Sequence, residues 1–254
     1  KLEAERRRAT PAEQKVLARY VGWGGIPNAF KNPLSGEVKE DWSKEVAELE
    51  VLMTPRELRA ASASTRNAHY TAKPVVDFMW RAAVRMGFNG GMVLEPSVGT
   101  GNFIGLMPKE LRADTHVTGI ELDSLTARIA GALYPRSNII QSGFEKLPLP
   151  DDQFDLAIGN PPFGSESLRF AFKPNLNGSS IHNQFFRASM DAVRPGGLQV
   201  MVVSRFLMDK QGTSDREELA KQAKLLGAIR LPGSAFKGNA LTEVVTDILF
   251  LQRR

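Results

Sequence analysis

The spacing of apolar positions divides the chain near residue 68. Before that point apolar residues recur at helical spacing in short stretches broken by proline and polar turns. In "TPAEQKVLARYVGWGG", Thr10 is placed to cap a helix, with Pro11 at its first position and Glu13 at its third. That helix is predicted to stop at Gly22. "SKEVAELEVLMTPRELRAASAS" predicts further short helices, one of them opening at Thr54-Pro55. No strand alternation occurs, so residues 1–68 read as a helical extension, which Trp23 in "GWGG" is placed to anchor to the rest.

From residue 69 to 254 short apolar runs alternate with amphipathic segments. Strands are predicted at "MVLEP", "HVTGIEL", "NIIQS", "FDLAIGN", "GLQVMVVS", "GAIRLP" and "TDILFLQ". Helices are predicted near 74–86, 102–112, 123–133, 182–193 and 213–226. This alternation predicts βαβ units and a doubly wound, seven-stranded, mostly parallel sheet covered on both faces. The last two strands are linked by "GSAFKGNALTEVV" without a clear helix, which predicts an edge hairpin.

Composition narrows the function. With 254 residues and 42% hydrophobic content the chain can bury a core. It lacks an apolar run long enough for a membrane span, which leaves a membrane partner unexpected. Cysteine is absent, excluding disulfides, thiolate catalysis and thiolate-bound zinc. Three histidines, His69, His116 and His182, are scattered and read as surface or strand-end residues; no metal is expected. A net charge of +5 leans towards a polyanionic partner. The opening "KLEAERRRAT", without Met or an apolar signal core, reads as a cut from a longer polypeptide.

Three predicted strand ends carry candidate chemistry, and in such a sheet ligands bind beyond the carboxyl ends of the strands. "VLEPSVGTGNF" ends a strand at Glu95 and turns through Gly99 and Gly101 into a helix. Glycines there allow positive φ and close approach of a ligand. A dinucleotide fingerprint would need a third glycine where Ile104 stands, and no phosphate-cradling lysine follows. A plain tight turn is the lesser alternative use of the stretch. "TGIELDS" ends a strand at Glu121, placed to accept the hydroxyls of a ribose; Asp123 serves as readily as a helix cap.

The third strand end is "FDLAIGNPPFG". Two prolines cannot continue a ladder. Asn160 and the Pro161 carbonyl offer two acceptors, stiffened by Pro161 and Pro162, and Phe163 offers a flat face. That set suits a planar ring bearing an amino group: both amino hydrogens are held and the nitrogen lone pair is left for an electrophile.

These stretches, with "HYTAKPVV" upstream, resemble the S-adenosylmethionine-dependent N6-adenine DNA methyltransferases. The closest likeness is to the methylase portion of large helicase–methyltransferase proteins of phages and mobile elements, in which segments like "YVGWGGIPNAF" and "GFEKLPLPDDQFDLAIGNPPFG" recur. The resemblance implies a Rossmann-like methyltransferase sheet, S-adenosyl-L-methionine as cofactor, DNA as partner and a bacterial or phage-infected cytoplasm. It places Tyr70, Thr71, Glu95, Gly99, Gly101, Glu121, Phe144 and Asn160 around the cofactor. Asn160, Pro161, Pro162 and Phe163 hold a flipped adenine, with Phe185 approaching the pocket.

Arg169, Lys173 and Lys237 are expected at the rim for contact with the DNA backbone, on loops of which "RFAFKPNLNGSS" reads as mobile. The chain departs from the family at Ser142 and Gly143, where an acidic residue is common. It carries no recognition domain after "LFLQRR", so sequence choice is expected from further domains or a partner. Two other readings stay open: an enzyme of the same motif acting on a protein glutamine or an RNA guanine, and a non-catalytic scaffold that binds DNA.

Overall fold

A computed structural model describes residues 2–20, 22–24, 26–32, 35–65, 71–164, 166–233 and 245–254. The extension contains α1 (Pro11–Leu17), α2 (Ser43–Leu52) and α3 (Pro55–Ser64). Thr10 and Thr54 each cap a helix, and in each case the third helical residue, Glu13 or Glu57, closes a capping box. α1 ends well before Gly22. Arg19 and Tyr20 donate to Val16 and Leu17 in tightened turns, which bring Tyr20 onto the main domain.

The main domain runs through α4 (Lys73–Arg85), β1 (Gly91–Glu95), α5 (Asn102–Gly105), β2 (Thr115–Glu121), α6 (Ser124–Leu133), β3 (Asn138–Gln141) and β4 (Phe154–Gly159). It continues with α7 (Ile181–Ala192), β5 (Val193–Ser204), α8 (Phe206–Asp209), α9 (Ser214–Gln222), β6 (Ala223–Leu231) and β7 (Thr246–Arg253). The sheet order is β3-β2-β1-β4-β5-β7-β6. Among the described strands only β7 runs against the rest, pairing with β5 and β6 at one end of the sheet as the predicted hairpin requires.

Two predicted helices shorten. The one at 102–112 is a single turn, because Pro108 cannot continue an α ladder; Lys109–Leu111 forms a separate 3-10 turn. The one at 213–226 stops at Gln222, because Ala223 to Leu225 pair with β7 instead. Cross-strand pairing outweighs the helical spacing of that stretch.

Alternation along the strands separates two cores. Leu156 and Ile158 of β4 join Val93 and Val200 on the face covered by α4. Ala157 joins Leu94, Met201 and Leu249 on the face covered by α7. A third cluster, Trp23, Ala29, Phe30 and Ala61, packs with Tyr20 and with Leu125 of α6, so the extension lies against that helix. Arg128 of α6 adds ion pairs to Glu57 at 2.8 Å and to Glu3. No helix among the described residues is long and apolar enough to cross a membrane.

The segment 166–180 departs from expectation. Phe170 and Leu176 are buried in the α7-side core. Gln184, fully buried on α7, accepts the Leu168 N–H at 2.8 Å and donates to the carbonyls of Leu168 (2.7 Å) and Leu176 (3.1 Å). Turn-forming residues suggest a mobile loop, but two apolar side chains and one amide fasten it. Lys173 also leaves the rim: it pairs with Asp151 (2.5 Å) and Asp191 (3.1 Å), near the amino end of β4. The segment runs down the face before α7 returns the chain, and its lysine is carried to the opposite side. Arg169 is exposed, and Lys237 lies outside the described residues. Gln184→Ala leaves several backbone groups unmatched and is expected to cost about 2–3 kcal/mol of stability, read by urea unfolding, with earlier proteolytic cleavage inside 166–180.

Candidate active site

β1 and β4 lie side by side where the strand order reverses. Their carboxyl ends carry Glu95 and Asn160, and β2 brings Glu121 alongside. Glu95 is 2% exposed, and its Oε2 has no hydrogen-bond partner among the described residues. Burial, with the Glu121 charge nearby, raises its pKa well above the usual carboxyl range.

The loop after β1 is stitched to β2. Val98 donates its N–H to the Ile120 carbonyl (2.9 Å), and Gly99 donates to Glu121 Oε2 (2.9 Å). Gly99 and Gly101 both have positive φ, +54° and +81°. A Cβ on Gly101 would meet the Tyr134 ring at 2.3 Å. Gly101 therefore answers to Tyr134 packing as well as to backbone conformation. Tyr134 stands many residues away, with no local signal of the contact.

Glu121 accepts a second bond, from the Asp123 N–H to Oε1 at 2.8 Å. Burial pushes its carboxyl up to about 7; the Asp123 charge adds to this, and the N–H groups of Asp123, Gly99 and Leu122 oppose it. Asp123 is the α6 cap: Oδ2 accepts from the Thr126 N–H (2.9 Å) and hydroxyl (2.6 Å). The Thr126 hydroxyl also meets the Tyr20 hydroxyl at 3.1 Å, so the extension touches the element beside Glu121.

The Ser97 hydroxyl donates to the Asn160 carbonyl at 3.1 Å, joining the glycine loop to the β4 loop. Pro161 is buried, whereas Pro162 and Phe163 are half-buried. Thr71 is buried, its carbonyl accepting from Asn102 Nδ2 at 3.3 Å. Tyr70 and His69 lie outside the described residues. Phe144 and Phe185 are both buried, their rings 4.8 Å apart and Phe170 edge-on to Phe144. They pack on each other in the α7-side core and leave little open face.

His182 is not a surface residue. It is 3% exposed, stacks on Phe163 with ring centroids 4.8 Å apart at 13°, and accepts the Ser204 N–H at Nε2 (3.1 Å). Its position at the start of α7, in an apolar helix face, is the sequence signal that it faces inward. The structure thus brings Thr71, Glu95, Gly99, Gly101, Glu121 and Asn160 to Phe163 onto one rim, and sinks Phe144 and Phe185 beneath it.

Comparison with known proteins bears on the family and the fold. Residues 94–160 match the methyltransferase domain family. The defense against restriction protein B of Escherichia phage P1 is 32% identical over 248 residues, covering 96% of this chain but only 9% of that protein. A modification subunit assigned to a type I restriction enzyme of Vibrio vulnificus superposes with a TM-score of 0.64 at 24% identity, over 86% of this chain and 51% of that one. A protein of Listeria monocytogenes assigned to the class I S-adenosylmethionine-dependent methyltransferases superposes with a TM-score of 0.59 at 17% identity, over 92% and 79%. The chain thus spans a small part of its phage relative and about half of the restriction-enzyme subunit. Residues 94–160 thus carry the match to the methyltransferase domain family, and the sheet has the fold of the class I, S-adenosylmethionine-dependent methyltransferases.

Proposed function

We propose that this domain transfers a methyl group from S-adenosylmethionine to the N6 amino group of adenine in DNA, as part of a longer polypeptide. The observation that carries the reading is the Ser97–Asn160 bond, which ties an acid-lined glycine loop to a proline-stiffened pair of acceptors on the neighbouring strand end. The cofactor, when bound, supplies an electrophilic methyl group on a cationic sulfur.

The residues present fit that group. Glu95, buried with an unmatched oxygen, is suited to an ammonium, and Glu121, at the end of β2, to a ribose diol. Gly99 and Gly101 keep the loop free of side chains towards the amino-acid end, and Thr71, with Tyr70 before it, is assigned to closing over that end. Phe144, closed in by Phe170 and Phe185, is assigned an edge contact with the adenine ring of the cofactor.

On the substrate side Asn160 Oδ1 and the Pro161 carbonyl accept the two amino hydrogens. This orients the nitrogen lone pair towards the methyl group without a strong base. One face of Phe163 is taken by His182, and the other is assigned to a base flipped from the stack. The likeness to a restriction-modification subunit supports DNA as substrate and further subunits or domains as the source of sequence choice. The same acceptors suit a glutamine amide or a guanine amino group, so the assay includes RNA and protein substrates.

Asn160→Ala is expected to lower kcat for adenine methylation by about a hundredfold or more while leaving the cofactor Kd within about twofold. Equal losses in both would remove Asn160 from the substrate side. Cofactor binding should also depend on pH. A diol donating to Glu121 favours its ionised form, and the ligand-free group holds a proton below about 7. Affinity by calorimetry is therefore expected to fall about tenfold between pH 8 and pH 6, a dependence that Glu121→Gln abolishes. The opposite sign follows for stability: Glu121's raised pKa favours the fold at low pH, and that contribution is lost as pH rises from 4.5 to about 7.

A further inference from the structure

His182 is the second residue of α7, and its ring meets both the end of β5 and the loop after β4. Its Nε2 accepts the N–H of Ser204, the last residue of β5. A ring nitrogen that accepts carries no proton, so the proton of the neutral imidazole sits on Nδ1. The backbone acceptor on that side is the Pro162 carbonyl, although Nδ1 completes no hydrogen bond of good geometry among the described residues. Burial pulls the pKa down to about 4, against the pull of that carbonyl, and keeps the ring uncharged. The ring plane lies nearly parallel to Phe163.

Two prolines stiffen the loop internally but do not fix its tilt relative to the sheet. The tilt needs an outside contact, and the flat face of His182 provides it at Phe163. A phenyl ring could stack equally well but would strand the Ser204 N–H. A charged imidazolium beside the loop would oppose the cation that develops on an attacked amino nitrogen. The combination selects a neutral aromatic with one acceptor and one donor.

We propose that His182 is a positioning residue: a neutral Nδ1–H imidazole, pinned by Ser204 and stacked on Phe163, that sets the pose of the Asn160–Phe163 loop and hence of the Pro161 carbonyl. The inference rests on reading 160–163 as the amino-group site.

The test uses the full chain. Nitrogen-15 NMR should find Nδ1 protonated and Nε2 bare, with no titration between about pH 5.5 and 8; a proton on Nε2, or a titration midpoint near the usual imidazole value, overturns the assignment. His182→Phe keeps a flat ring and deletes the acceptor for the Ser204 N–H. Its kcat should fall about ten- to a hundredfold with the cofactor Kd within about twofold; an unchanged kcat overturns the positioning role. If the unmutated protein methylates no adenine, the function proposed above fails on its own. His182 is then judged by the Phe163 ring resonances in His182→Gln: displaced signals in an otherwise native spectrum support the role, and unmoved signals overturn it.

Discussion

Two carboxyl groups, Glu95 and Glu121, sit at the ends of neighbouring strands, and the rest of the site is arranged around that constraint. Glu95 and Glu121 each disfavour ionisation through burial, and Glu121's charge adds to the cost at Glu95. A fold optimised for its own stability would place apolar residues there. Instead Glu121 is retained by two backbone N–H groups, from Gly99 and Asp123, which shape the glycine loop around it. Loop geometry and electrostatic cost are therefore one feature.

The sheet was legible because its strands are bounded by changes in hydrophobic period, and the edge hairpin because no helical pattern separates β6 from β7. The failures were local. Helix α5 collapses to one turn at Pro108, a breaker plainly visible in the sequence. The first turns of β6 carry helical spacing that pairing with β7 overrides. Lys173 was misplaced because sequence gives a loop its endpoints but not its path. Two apolar anchors, Phe170 and Leu176, carry that loop down the face of the sheet.

Site residues fall into two groups by the same logic. Glu95, Glu121 and Asn160 end their strands, and strand direction alone carries them to a common rim. Tyr134 and His182 act through contacts far apart in sequence, against Gly101 and Phe163, and no local motif announces them. His182 reads from the sequence as a surface residue, and only the packing of α7 buries it. Its significance comes from what it packs against.

Helix α7 then emerges as the organiser of the β4-loop side. Its first turns carry His182 against Phe163 and Gln184 against the segment that follows that loop, so a single rigid element holds the loop and its downstream side. Helix α6 plays the corresponding part for the acidic side. Asp123 caps it, Thr126 bonds to Asp123, and Tyr20 of the extension bonds to Thr126. The extension buttresses the helix behind Glu121, and α7 buttresses the loop behind Asn160. The two halves meet at the Ser97–Asn160 bond, so the relative placement of the acidic strand ends and the β4 loop depends on two helices packed behind them.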